Sequence, residues 1–133
     1  LVTWRSLVCD YAVVDGIRLR FHSQDGTSEV FVSTDSPQVA SRFGLASDPE
    51  YGYCGWLPYQ SVTAFVEERW YGVVGGQEVV IRAEVADEYV VLANGGPVIS
   101  RWKMEELERG LWEGNIPKSA FSRVWSKERT TGT

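Results

Sequence analysis

The sequence predicts an α+β protein: one domain with a mostly antiparallel five-stranded sheet and helices on one face, in the order α-β-β-β-α-β-β-α with a possible further helix. Three features predict it. Short runs that alternate apolar and polar residues come in two groups, segments with helical apolar spacing flank and separate those groups, and Gly, Asp, Asn and Pro mark the turns between them. With 133 residues, 44% of them hydrophobic, the chain can bury a core without disulfides or metals.

Trp4, Leu7, Val8 and Tyr11 recur at helical spacing and predict a first helix, ended by Asp15-Gly16. From Ile17 the period changes to two, with Ile17, Leu19 and Phe21 set against Arg18, Arg20 and His22. Asp25-Gly26 then turns the chain into a second strand over Glu29 to Ser33, and a third is expected over Arg42 to Ala46. Pro49, Gly52, Gly55 and Pro58 make residues 47 to 59 a loop. Val62, Phe65, Val66 and Trp70 predict the clearest helix, stopped at Gly75-Gly76. Val79 to Val85 and Tyr89 to Leu92 read as a hairpin. Ser100 caps an expected helix bearing Met104, Leu107 and Leu111, and Phe121, Val124 and Trp125 suggest a last one. The domain is expected to span residues 1 to 127, with residues 128 to 133 frayed, and no internal repeat is read.

Eighteen acids against thirteen bases and one histidine give a net charge of −5. An acidic body repels phosphate backbones and permits attraction to a basic protein surface, so nucleic acid is not an expected partner. No apolar run approaches the ~20 residues needed to cross a bilayer, and no membrane partner is expected. Cys9 and Cys54, the only cysteines, suit a reducing compartment, and the expected location is cytoplasmic. A chain opening at Leu1 implies an unusual start codon, a processed end or trimming.

No catalytic constellation stands out. The single histidine, His22, has no identified partner, and two cysteines about 45 residues apart with that histidine do not form a usual zinc set. The acid pairs Glu67-Glu68, Asp87-Glu88 and Glu105-Glu106 are neighbours in sequence, which cannot face each other across a cleft. No metal or other cofactor is expected, and the protein is read as non-enzymatic. The loop of residues 47 to 59 concentrates aromatics. Tyr51, Tyr53, Trp56 and Tyr59, with Asp48 and Glu50 as an acidic rim, form the candidate partner-binding surface, because Tyr and Trp dominate interface hot spots. Trp56, Leu57 and one tyrosine could instead tuck beneath the sheet.

The Trp4 segment, the Phe21 strand, Glu29-Val30-Phe31-Val32, Phe43-Gly44-Leu45-Ala46-Ser47 and the run Phe65 to Gly72 together resemble actinobacterial polymorphic-toxin immunity proteins. The group includes the antidote of the tuberculosis necrotizing toxin. The resemblance covers about the first three-fifths of the chain and is one of pattern; the sequence departs from it in residues 47 to 59 and in its C-terminal segments. It implies a small cytoplasmic protein that binds a cognate toxin domain and blocks its active site, and it transfers no individual site residue. The predicted element order is also similar to that of the small acidic type III secretion chaperones, which implies a dimeric adaptor for an effector. A third reading is a small ligand-binding domain or enzyme with His22 and Arg20 lining a pocket. The oligomeric state is left open.

Overall fold

A computed structural model describes residues 3 to 26 and 28 to 132; Leu1 and Thr133 lie outside the described residues. Among those residues the chain forms twelve strands and two short α-helices: β1 (Trp4–Ser6), β2 (Cys9–Val14), β3 (Ile17–Asp25), β4 (Glu29–Thr34), α1 (Pro37–Phe43), β5 (Ala46–Asp48), β6 (Gly52–Pro58), β7 (Val62–Val74), β8 (Gln77–Val85), β9 (Glu88–Ala93), α2 (Val98–Arg101), β10 (Glu105–Glu108), β11 (Leu111–Pro117) and β12 (Phe121–Gly132). The expected five-stranded α+β fold with helices on one face is therefore corrected to a mainly antiparallel β-protein.

The correction has a definite physical origin. Val62, Val66 and Trp70 are four residues apart, and that spacing fits a helix face and one face of a strand equally well, because four is a multiple of two. The remaining residues of the segment decide it. Thr63, Phe65, Tyr71, Val73 and Val74 are β-branched or aromatic, and β7 runs through all of them. The same ambiguity affects Phe121 and Trp125, four residues apart, which open β12 and not a helix; the helix expected over Trp4 to Tyr11 is β1 and β2, with Leu7 and Val8 in the break between them. The helix expected after Ser100 is only the four-residue α2, ended by Lys103 at φ 51°, and Leu107 stands exposed on β10.

At Arg42 to Ala46 the expected strand is replaced by the end of α1. Ser36 caps this helix by accepting a hydrogen bond from the Val39 amide, Pro37 occupies its first turn, and Gly44 ends it at φ 68°. The expected loop of residues 47 to 59 is mostly the β5–β6 hairpin. β3, β4, β8 and β9 stand where alternation places strands, and β3–β4 and β8–β9 pair antiparallel. β12 carries the chain out to Gly132, through residues expected to fray.

The chain divides into two compact units, unit I comprising Asp10–Glu67 with Arg129–Thr133, and unit II comprising Leu1–Cys9 with Glu68–Glu128. In unit I, β3 pairs with β2 and β4, and β6 lies between β4 and β5. Its core is built on Leu19, Val30, Val32 and Ala12, with Ala40 of α1 packed in. In unit II, β8 lies between β7 and β9, β11 joins β9 to β10, and β1 pairs with the far end of β8. Ile81, Val91 and Ile116 form its centre, and Leu7 is buried with them.

The two units repeat one plan, contrary to the expectation of no internal repeat. Val14-Asp15-Gly16-Ile17 and Val74-Gly75-Gly76-Gln77 make the same two-residue turn, with positive φ at both central residues. The next strand carries a bulge in both units, between Phe21 and Ser23 and between Ile81 and Ala83, so positions correspond at an offset of 60. Beyond the second hairpin the offset is 59. Glu29 pairs with Pro58 and Glu88 with Pro117; Ala46 pairs with Cys54 and Glu105 with Glu113. Each short helix closes with the same bond, Leu45 N to Ala40 O and Met104 N to Ile99 O, both 2.9 Å. Few of the matched positions keep one residue type, so the repeat is geometric more than textual.

Candidate binding site

Alternation along three neighbouring strands of unit I builds an outward aromatic face. On β4, Val30 and Val32 point into the core with no exposure, so Phe31 and Ser33 take the other face. Phe31 lies directly opposite Trp56 of β6, with ring centroids 5.2 Å apart. On β3, Leu19 and Phe21 belong to the core side and Arg20 and His22 to the outer side, with His22 sitting at the bulge.

Tyr51 completes the cluster from the β5–β6 turn. Asp48 Oδ1 accepts hydrogen bonds from the amides of Glu50 (2.8 Å) and Tyr51 (3.0 Å), which folds the turn back over the sheet. The Tyr51 ring lies 4.7 Å from His22 and 5.6 Å from Phe31. Phe31 and Tyr51 meet edge to face, an arrangement that aromatic pairs prefer, and the other contacts are tilted. The Trp56 side is left open to solvent, with the residue 48% exposed.

Beneath the rings, Ser33 is buried and its hydroxyl lies 2.6 Å from His22 Nε2. Partial burial holds the His22 pKa below its usual 6.5; the positive charge of Arg20 pushes the same way, and the Glu50 carboxylate opposes both. The imidazole is therefore neutral at pH 7. Because the folded form disfavours the proton that the unfolded chain takes up near pH 6.5, this group's contribution to stability is present above that pH. It is lost as the pH falls through the lower folded value. His22 is the only histidine, so its ring protons can be followed without assignment by mutagenesis. The expected midpoint lies below 6.5, moves lower in Glu50→Gln and higher in Arg20→Gln; a midpoint at or above 6.5 would contradict the arrangement.

The expected partner-binding residues separate into two sets. Tyr51 and Trp56 come together on this face, and Glu50 reaches it electrostatically through His22. Asp48 spends one carboxylate oxygen on the turn. Tyr53 and Tyr59 pack against the core instead, and of the residues that could tuck beneath the sheet Leu57 is buried whereas Trp56 is not. Phe31 was missed, although the triplet Val30-Phe31-Val32 carries the signal: alternation must turn the middle aromatic away from the core.

Chemically, the face offers amphipathic rings and a neutral imidazole. Ser33 lies beside the histidine, but its burial leaves no approach for an external carbonyl. The Cys54 thiol, across β6 from Ser33, is pushed above its usual pKa by desolvation and by Asp48, which keeps it protonated. Among the described residues no group of three or more His, Cys, Asp or Glu side chains is placed to hold a metal ion, and no helix is long and apolar enough to cross a membrane. No family model, curated protein or solved structure matches the chain.

Proposed function

We propose that this protein is a non-enzymatic immunity protein that binds a cognate bacterial toxin domain in the cytoplasm and occludes its active site through the face formed by His22, Phe31, Tyr51 and Trp56. The observation that carries the reading is the exposed Trp56 indole standing on a ring cluster fixed by strand register and by the Asp48 turn. A rigid aromatic anchor of this kind loses little conformational freedom on binding, which is what an interface hot spot requires. The net charge of −5 suits a basic target cleft and speeds encounter with it. The pattern resemblance to toxin immunity proteins supports the class of partner. The adaptor reading drawn from element order loses its basis, because that order is not the one the chain adopts.

The test is to mix the purified protein with the product of the adjacent gene, because an immunity gene and its toxin gene are inherited together. A 1:1 complex at micromolar concentration, with loss of the partner's activity, is expected. Absence of any complex at that concentration would contradict the proposal.

A further inference from the structure

The two units differ at one place where their shared plan predicts sameness. In unit II, β7 leaves β8 at Trp70–Ile81, and beyond the bulge β1 takes over that edge, pairing Ser6 with Ala83, Arg5 with Glu84 and Trp4 with Val85. Leu7 completes the join: its amide donates to the carbonyl of Arg82 at 2.8 Å, and its side chain is buried in the core beside Ile81. In unit I, β2 leaves β3 at Tyr11–Arg20, and past the bulge no strand among the described residues pairs with that edge. The matching residues are His22, Ser23, Gln24 and Asp25, and all four are exposed; of their counterparts Ala83 is fully buried, Glu84 and Val85 are half-buried and Arg82 is exposed.

A slot for an anchoring side chain accompanies the open edge. Phe21, the counterpart of Ile81, is only half-buried, and a pocket of about 210 Å³ opens against it, walled by Tyr11, Phe65 and Val66 with Asp10 and Glu67 at its margin. Gln24, the counterpart of the Glu84 that holds Arg5 at 2.9 Å, also lines it.

We propose that the His22–Asp25 edge of β3 accepts an extended segment of a partner protein as an added antiparallel strand, with an aliphatic side chain in the pocket at Phe21 and a basic residue beside it. Strand addition satisfies backbone groups that an edge leaves open, and a side-chain pocket supplies selectivity. The basic residue follows from charge: Glu67 and Asp25 are both exposed at this place. The internal model for the occupant is the chain's own Trp4-Arg5-Ser6-Leu7, which joins an exposed aromatic, an ion-paired arginine and a buried leucine. The inference stands whether or not the partner is a toxin.

The probe is a capped synthetic peptide of residues 3 to 8, Thr-Trp-Arg-Ser-Leu-Val, added to the full chain, with amide hydrogen exchange read residue by residue. Saturating peptide is expected to slow exchange within His22–Asp25 by about tenfold or more, as a newly paired edge requires. A peptide carrying Leu7→Asp should give no protection, a control that leaves the protein itself unaltered. In the protein, Gln24→Pro should abolish protection while circular dichroism stays unchanged. The Leu7 bond to the Arg82 carbonyl puts the outward backbone groups at the positions matching His22 and Gln24, whereas Ser23 pairs with Phe31 of β4. Three results would overturn the proposal: no protection at millimolar peptide, protection confined to Ala83–Val85, or protection that grows with protein concentration alone, which would make the occupant a second copy.

Discussion

Replacing Gly72 by alanine is expected to destabilise the fold by about 1–3 kcal/mol, the usual cost of forcing extra volume into a packed core. A Cβ at Gly72 would come within 2.6 Å of the Phe121 ring and 3.1 Å of Ile81 Cδ1, and an aromatic ring cannot retreat as the tip of a flexible chain can. Unit I shows how the same site accepts a methyl group. Its counterpart to Gly72 is Ala12, fully buried, and the counterpart to Phe121 is the smaller Val62, which follows the same short turn after a proline. The units thus solve one packing problem with opposite volume assignments, small beside large in unit II and medium beside medium in unit I. Phe121→Val alone should also destabilise, by the area and cavity it leaves. The double variant should lose less than the sum of the singles, with a coupling of about 0.5–3 kcal/mol in urea unfolding. Strict additivity would deny that residues 72 and 121 compete for one space.

Replacing Trp56 by alanine should separate binding from stability. The residue is 48% exposed, so its truncation removes only part of its buried area and should cost the fold about 1 kcal/mol. The complex proposed with a toxin domain should weaken in this variant by roughly 30-fold or more, the signature of a central hot spot worth at least about 2 kcal/mol. Tyr53→Phe, at a side chain packed on the core, should leave the affinity within about threefold, because hydroxyl loss away from an interface centre is nearly neutral. Equal affinities for the wild type and Trp56→Ala, with folding intact, would move the binding site elsewhere.

How much of this could be read from the chain varies by element. Strict alternation over Ile17 to Phe21, and alternation broken only at Val80 over Val79 to Val85, name strands. Val62-Val66-Trp70 satisfies both periods, and only the β-branched and aromatic content of its neighbours breaks the tie; the helical spacing of Trp4-Leu7-Val8-Tyr11 instead spans the break between β1 and β2. For α1, the Ser36-Pro37 start and the Gly44 stop were present in the text and would have placed a helix where a strand was expected. The repeat was hidden for another reason. What the units share is turn geometry, bulge position and register, which different residues can satisfy: Asp15 and Gly75 both take positive φ, and Gly44 and Lys103 both end a helix. At the binding face, the aromatics of residues 51 and 56 were legible as a concentration of rings in the 47 to 59 segment. Their assembly with His22 and Phe31 was not, because it depends on the register of β3 with β4 and on β4 pairing with β6 past α1 and β5, which sets Phe31 opposite Trp56.

The measurement that bears most directly on the central claim is a hydrogen-exchange footprint of the complex formed with the neighbouring gene's product. Protection concentrated on β3, β4 and the β5–β6 hairpin around His22, Phe31, Tyr51 and Trp56 is the predicted result. A complex whose protection leaves those strands untouched would contradict it.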